Sequence, residues 1–313
     1  MAEKPLVSGS LATRKFARNG SLNSRIFMLK PDITRIENHL RALIGERNPY
    51  SSPEHLKQCA DYIADQFRDF QLALREEPVP FDAGTSANIL GRKEGSEAGG
   101  DPFVLAAHYD TVEGTPGADD NGSAVATLLE IARCLQSVPL RTPLLFAAFT
   151  LEEYGFVGST HHIAEAEKRN EGFRGMVSLE MVGYRDRQPG SQSYPPYVDS
   201  SLYPDTGDFI AVIGNEPSTE LTHAVSEGMR NAAPVLPVVQ LIVPGRGDNF
   251  TEVRLSDHSP FWEHGTPAVM VTDTAFFRNP NYHQASDTLE TLDLEFIRDT
   301  AEAMTGFLKQ YLA

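Results

Sequence analysis

Cysteine is nearly absent: Cys59 and Cys134 are the only two in 313 residues. Two cysteines are too few for a disulfide framework, and they lack the C-x-x-C spacing of a thiolate zinc or redox motif. Both are read as small apolar core residues. Long apolar runs are missing as well. The opening MAEKPLVSGSLATRKFARNG is basic but has no continuous apolar stretch of the kind a signal peptide carries, and no later segment approaches the apolar length of a membrane span. A cytoplasmic location is the expectation, or a secreted one if the chain is a mature form. Basic residues are scarce, 27 Lys and Arg against 43 Asp and Glu, giving a formal charge of −16. The mean field of such a chain repels nucleic acid and anionic membranes, so neither is expected as a partner. Acidity alone names no substrate. Function has to come from particular carboxylates.

The hydrophobic content, 41%, is ordinary for a soluble globular protein and allows a sizeable core. Residues 1–30 show no clear period and are expected to form an extended arm, with a catalytic domain over 31–313. From Ser51 to Phe70 the apolar residues Leu56, Cys59, Ala60, Ile63, Phe67 and Phe70 recur at helical spacing, with Ser52 placed to cap and Pro53 suited to the first turn. Phe103 to Ala107 reads as a strand buried on both faces, ending at His108. A helix is expected over Ser123–Gln136 and a second apolar strand over Leu144–Leu151, ending at Glu152. Val177–Leu179 and Ala268–Val271 are further strand candidates, and Leu294–Leu312 has helical periodicity. Strand, helix, strand implies a parallel sheet. The fold class is therefore α/β: one domain with a mostly parallel, mixed central sheet flanked by helices. The Pro, Ser and Tyr-rich stretch from Arg187 to Asp208 reads as a long loop beside the site.

Ligand sites in open α/β sheets lie beyond the carboxyl ends of the strands, which directs attention to the polar residues there. His108 and Asp110 close one strand, Glu152 and Glu153 the next, and Glu180 follows Leu179. A Gly-rich turn from Pro116 to Gly122 presents Asp119 and Asp120, and His283 stands in Asn-Tyr-His-Gln-Ala-Ser-Asp-Thr. Each alone has a plain structural explanation, because buried histidines and acidic turn residues are common. Together they are harder to dismiss. Two imidazoles with several carboxylates and no thiolate suit zinc, and a carboxylate able to bridge suits two metals about 3.5–4 Å apart. That is the chemistry of hydrolysis.

The order and wording of these motifs resemble the dizinc aminopeptidases of peptidase clan MH, whose relatives include glutamate carboxypeptidase and glutaminyl cyclase. The likeness runs from about Pro49 to the C-terminus, through His-x-Asp, Gly-x-Asp-Asp-Asn-Gly, Glu-Glu, an acidic-Met-x-Gly-Tyr segment, Ser-Asp-His-x-Pro-Phe and a final Tyr-His followed by Asp-Thr. The resemblance implies that His108 and Glu180 bind one zinc, that Glu153 and His283 bind a second, and that Asp120 bridges them. It makes Asp110 the carboxylate that orients His108. Glu152 is then the uncoordinated general base, and Asp119 a structural turn residue. Adjacency of Glu152 and Glu153 has a use on an extended segment, where successive side chains diverge.

One departure stands out: Glu180 occupies a position that more usually holds Asp, which adds a methylene between backbone and carboxylate. Asp257 and His258 are assigned supporting roles, His161 and His162 structural ones, and Trp262, Phe276 and Phe277 the core or a pocket wall. The implied activity is that of a zinc exopeptidase, an aminopeptidase acting on peptides with a free N-terminus. The rivals are a glutaminyl cyclase on the same scaffold, a carboxypeptidase with an arginine clamp drawn from Arg185, Arg187, Arg246 or Arg278, and a noncatalytic binding module.

Overall fold

The apolar runs at residues 103–108, 144–149, 175–180 and 268–272 are fully buried and lie side by side at the centre of one sheet. The computed structural model describes residue 1, residues 29–97 and residues 99–313. The arm expected over residues 1–30 falls almost wholly outside these. The strands are β1 (Ala73–Phe81), β2 (Gly84–Lys93), β3 (Phe103–His108), β4 (Leu144–Phe149), β5 (Gly175–Glu180), β6 (Asp186–Pro189), β7 (Thr206–Gly207), β8 (Ile210–Asn215), β9 (Val238–Val243) and β10 (Ala268–Thr272). The helices are α1 (Ile33–Leu43), α2 (Pro53–Asp69), α3 (Ala124–Leu135), α4 (Val157–Lys168), α5 (Thr219–Ala232), α6 (His258–His264) and α7 (Leu294–Tyr311). The large sheet has the order β1-β2-β4-β3-β5-β10-β8-β9, while β6 and β7 pair separately. Its centre, β4-β3-β5-β10, is parallel, and antiparallel pairings occur at β1-β2, β2-β4 and β10-β8.

Alternate residues of the central strands feed two cores, as a period of two requires. Leu105, Phe146, Val177 and Val269 pack with residues of α2, α3, α5 and α7. Val104, Leu145, Met176 and Met270 pack against α4 and α6 on the other face. α1 adds Ile36 and Leu40 to Ala126 and Ile297. Cys59 and Cys134 are buried and free, as expected.

Three sequence expectations are adjusted. β4 stops at Phe149, because Leu151 adopts a positive φ of 58° and turns the chain before the Glu pair. Glu152 and Glu153 therefore diverge on a turn and not along an extended strand. β5 is longer than expected and carries Glu180 as its last residue. Ser52 occupies the N-cap of α2 but makes no side-chain capping bond; the helix starts on Pro53.

Candidate metal centre

The parallel strands deliver their C-terminal residues to one edge. His108 ends β3, Glu180 ends β5, the Glu152-Glu153 turn follows β4, and the turn at Asp119 and Asp120 leads into α3. His283 arrives from the segment between β10 and α7 with a φ of 57°. Two groups of possible metal donors result: His108, Glu152 and Glu180, and Asp120, Glu153 and His283. Asp120 joins them, since Oδ1 lies 3.3 Å from His108 Nε2 and Oδ2 lies 3.1 Å from His283 Nε2. Glu180 Oε2 is 3.5 Å and Glu152 Oε2 3.8 Å from His108 Nε2, while Glu153 Oε2 is 3.3 Å from His283 Nε2. Asp120 Oδ1 and Oδ2, Glu153 Oε1 and His283 Nε2 are buried without hydrogen-bond partners. Orphaned acceptors of this kind are costly unless a cation satisfies them. A hard-to-borderline nitrogen and oxygen donor set without thiolate fits zinc.

Burial and mutual repulsion shift the acids. Burial pushes Glu152 well above the ordinary carboxylate range; His108 opposes this and the charges of Glu180 and Glu153 add to it. Burial and the nearby Asp120 raise Glu153 to about 7. Burial disfavours charge on His283, but the neighbouring carboxylates of Asp120 and Glu153 overcome it and raise the imidazole to about 10. A bound cation changes these balances, because it becomes the largest local charge.

Supporting residues place the donors. The amide N–H groups of Glu152 and Glu153 donate to Asp110 Oδ1 and Oδ2 at 3.0 and 3.2 Å, and Asp110 Oδ1 also lies 3.5 Å from His108 Nδ1. Asp287 does the same for the opposite turn, accepting from the amides of Asp119 and Asp120 at 2.9 and 3.1 Å. Asp119 itself points away and receives Ser123 Oγ, Gly183 N and Asn279 Nδ2. Asn121 clamps the end of β5 by donating to Leu179 O and accepting from Met181 N. Ser256 Oγ donates to Glu180 Oε2 at 2.8 Å. Beneath these turns the buried Arg47 guanidinium donates to the carbonyls of Leu43, Gly45, Tyr109, Pro116 and Gly117. Gly117 has to be glycine: its φ is 62°, and a Cβ would lie 2.4 Å from Thr111 Cγ2 and 2.5 Å from Asp120 O.

Asp287, Ser256 and Arg47 were not assigned these roles from the sequence. Asp287 and Ser256 stand inside the quoted motifs, whereas Arg47 carried no signal. Asp257 is buried beside the donors, and burial raises it to about 7; His258 is turned away, with Nε2 at 2.8 Å from Val253 O. His162 is buried and paired with Glu77 at 2.9 Å. Trp262 is a core residue whose indole N–H donates to Ala268 O.

A narrow cleft opens beside Glu180 and Tyr282. Phe209, Ile213, Met270 and Leu241 supply apolar wall, Phe276 and Phe277 border it, and the 187–208 stretch contributes Tyr194, Val198 and Tyr203. Tyr282 stacks on His283 with ring centroids 3.8 Å apart. Among the described residues, no lysine or arginine lines the cleft. Arg185 pairs with Asp293, Arg246 with Glu263, and Arg278 Nε donates to Gln192 Oε1.

Known proteins resemble the chain in sequence and in fold. YfbL of Escherichia coli K12, described as uncharacterised, is 34% identical over 289 residues, covering 88% of this chain and 87% of its own. Aminopeptidase YwaD of Bacillus subtilis 168 is 32% identical over 240 residues, 72% of this chain, although the chain spans only 45% of YwaD. The crystal structure of the LapA aminopeptidase of Legionella pneumophila shares the fold at 19% identity, with a TM-score of 0.71 over 90% of this chain and 73% of LapA. Residues 88–308 match the sequence profile of peptidase family M28, and with that span taking in every donor of both groups, the chain belongs to this family.

Proposed function

We propose that the chain is an aminopeptidase that removes N-terminal residues from peptides, holding two zinc ions through His108 and Glu180, Glu153 and His283, and a bridging Asp120. The observation that carries the reading is the position of Asp120, whose two carboxylate oxygens face the two histidines from within opposite donor groups. Bound zinc supplies Lewis-acid charge that acidifies water and polarises a peptide carbonyl. Glu152 lies within reach of the first group and is buried in a setting that raises its proton affinity. That suits a general base which takes a proton from the attacking water and returns it to the leaving amine. Tyr282, which lines the cleft and stacks on His283, is the candidate hydroxyl donor to the oxyanion.

The cleft supports the choice of substrate end. Glu180 and Glu152 offer carboxylates for an ammonium group, while of the arginines a carboxypeptidase could draw on, Arg185 and Arg246 pair with Asp293 and Glu263, Arg187 lies 4.0 Å from Asp293, and Arg278 Nε donates to Gln192. The apolar walls suit a large hydrophobic N-terminal side chain. Matched peptides, one N-acetylated and one C-amidated, test the reading. The zinc-loaded protein should reject the first and release single residues from the N-terminus of the second. Reverse selectivity would establish a carboxypeptidase, and cyclisation of an N-terminal glutamine without cleavage a glutaminyl cyclase.

A further inference from the structure

Apart from the cleft beside Glu180, a second, open depression of about 670 Å³ runs between α4 and α6. Both helices start at segments that carry the proposed chemistry. The amide N–H of Phe156 donates to the Glu152 carbonyl at 2.8 Å, and α4 begins at the next residue. α6 begins two residues after Ser256, which holds Glu180. Leu255 lines both the cleft and this groove, and Phe156, held to the Glu152 carbonyl, lines the groove as well. The two depressions therefore meet at Leu255, and the groove adjoins the Glu152 turn, whose carboxylate lies 3.8 Å from His108 Nε2. Along the groove α4 presents Thr160, Ala164 and Glu167, all exposed and spaced on one helical face.

We propose that this groove binds the downstream residues of the peptide substrate, those on the leaving-group side of the cleaved bond. The inference rests on the aminopeptidase reading, which puts the N-terminal side chain in the cleft and so requires the rest of the chain to leave on the other side of Glu152. Phe156, Leu255 and Pro260 provide apolar contact near the site, while Arg254, Glu263 and His264 edge the groove with polar groups. From Phe156 to Glu167 the helix advances about 16 Å at roughly 1.5 Å per residue. An extended peptide at about 3.4 Å per residue covers that length with about five residues. The groove therefore favours peptides of about five or six residues over dipeptides.

The test compares Leu-Ala-amide with Leu-Ala-Ala-Ala-Ala-amide on the zinc-loaded protein and on two variants, Ala164→Trp and Thr160→Trp, which fill the groove from exposed positions outside the catalytic machinery. In the wild type kcat/KM should rise at least tenfold from the shorter to the longer peptide, mostly through KM. Each variant should lose that gain and keep the wild-type rate on Leu-Ala-amide. A wild-type rate independent of length, or variants that slow both peptides equally or neither, would overturn the groove. Release of no N-terminal residue from either peptide by the wild type would instead overturn the aminopeptidase reading, and the groove with it.

Discussion

Asp110 holds Glu152 by its backbone: the Glu152 amide donates to one carboxylate oxygen at 3.0 Å, and the Glu153 amide donates to the other at 3.2 Å. One buried carboxylate thus fixes the turn that presents a proposed base and a proposed ligand, in addition to lying 3.5 Å from His108 Nδ1. Asp287 repeats the device on the Asp119-Asp120 turn. Asp110→Asn would turn an acceptor into a donor facing a backbone N–H. Activity or zinc affinity should fall by about 10–100-fold, in line with the loss of groups that orient ligands. Zinc titration with steady-state kinetics checks this, and unchanged values for both would remove Asp110 from the positioning role.

The metals and the base separate in a paired experiment. Chelation should abolish hydrolysis, and zinc should restore it, with two equivalents bound per chain by elemental analysis. Glu152→Gln keeps the side-chain shape but cannot take up a proton; it should keep both zinc equivalents and lose about 10²–10⁴-fold in kcat. Asp120→Asn should instead lower metal content. Normal kcat in a fully loaded Glu152→Gln protein would place the base elsewhere.

Acid stability should depend on a second buried pair, Glu77 and His162. Glu77 accepts from Asn88 Nδ2 and pairs with His162. Burial opposes its ionisation, but the bonds from His162 and Asn88 prevail and bring Glu77 down to about 2 from 4.5. A carboxylate depressed in the folded state stabilises it above the unfolded pKa, and that stability is lost as pH falls from about 4.5 towards 2. At about 1.4 kcal/mol per unit, the contribution is on the order of 3 kcal/mol. Glu77→Gln should therefore lower stability near neutral pH and flatten the loss between pH 4.5 and 2. Denaturant melts across that window measure it; parallel acid limbs for the two proteins would contradict the assignment.

The central strands and the residues that meet in the two donor groups could be picked out in the sequence, Glu152 as an uncoordinated base and not as a donor, because buried parallel strands are continuous apolar runs and their polar ends are abrupt. Less legible were the elements whose patterns obey tertiary context. β1 carries Pro78 and Pro80 with the charged Arg75, Glu76 and Glu77, a composition that argues against a strand. It survives because it is the edge strand, where a missing N–H is tolerated. Arg47 is similar: nothing local says that a guanidinium will be buried, since the carbonyls that satisfy it come from Leu43 and Gly45 and from Tyr109, Pro116 and Gly117, far apart in the chain.

The stretch between Arg187 and Asp208 was expected beside the site, and Tyr194, Pro195, Val198 and Tyr203 do line the cleft. Its tip is joined to the segment before Leu255 by Tyr197, whose ring meets Phe250 edge-on at 4.7 Å. The stem below the tip is closed by backbone, the Gln192 N–H donating to Asp205 O at 3.1 Å, so a short Gly-Ser-Gly turn in place of residues 195–202 is the replacement to test. This replacement removes Pro195 and Val198 from the apolar wall and leaves all five proposed ligands and Glu152 in place. Large hydrophobic N-terminal residues should then lose more than small ones. Removing apolar wall is worth about 1–3 kcal/mol in discrimination, so the kcat/KM preference for leucine over alanine should fall by about 10–200-fold. Stability should change little, since the core strands lie elsewhere. Parallel measurement of both substrates and of Tm decides the matter: an equal loss on leucine and alanine peptides accompanied by a large drop in Tm would make the segment a structural brace and not a wall of the specificity pocket.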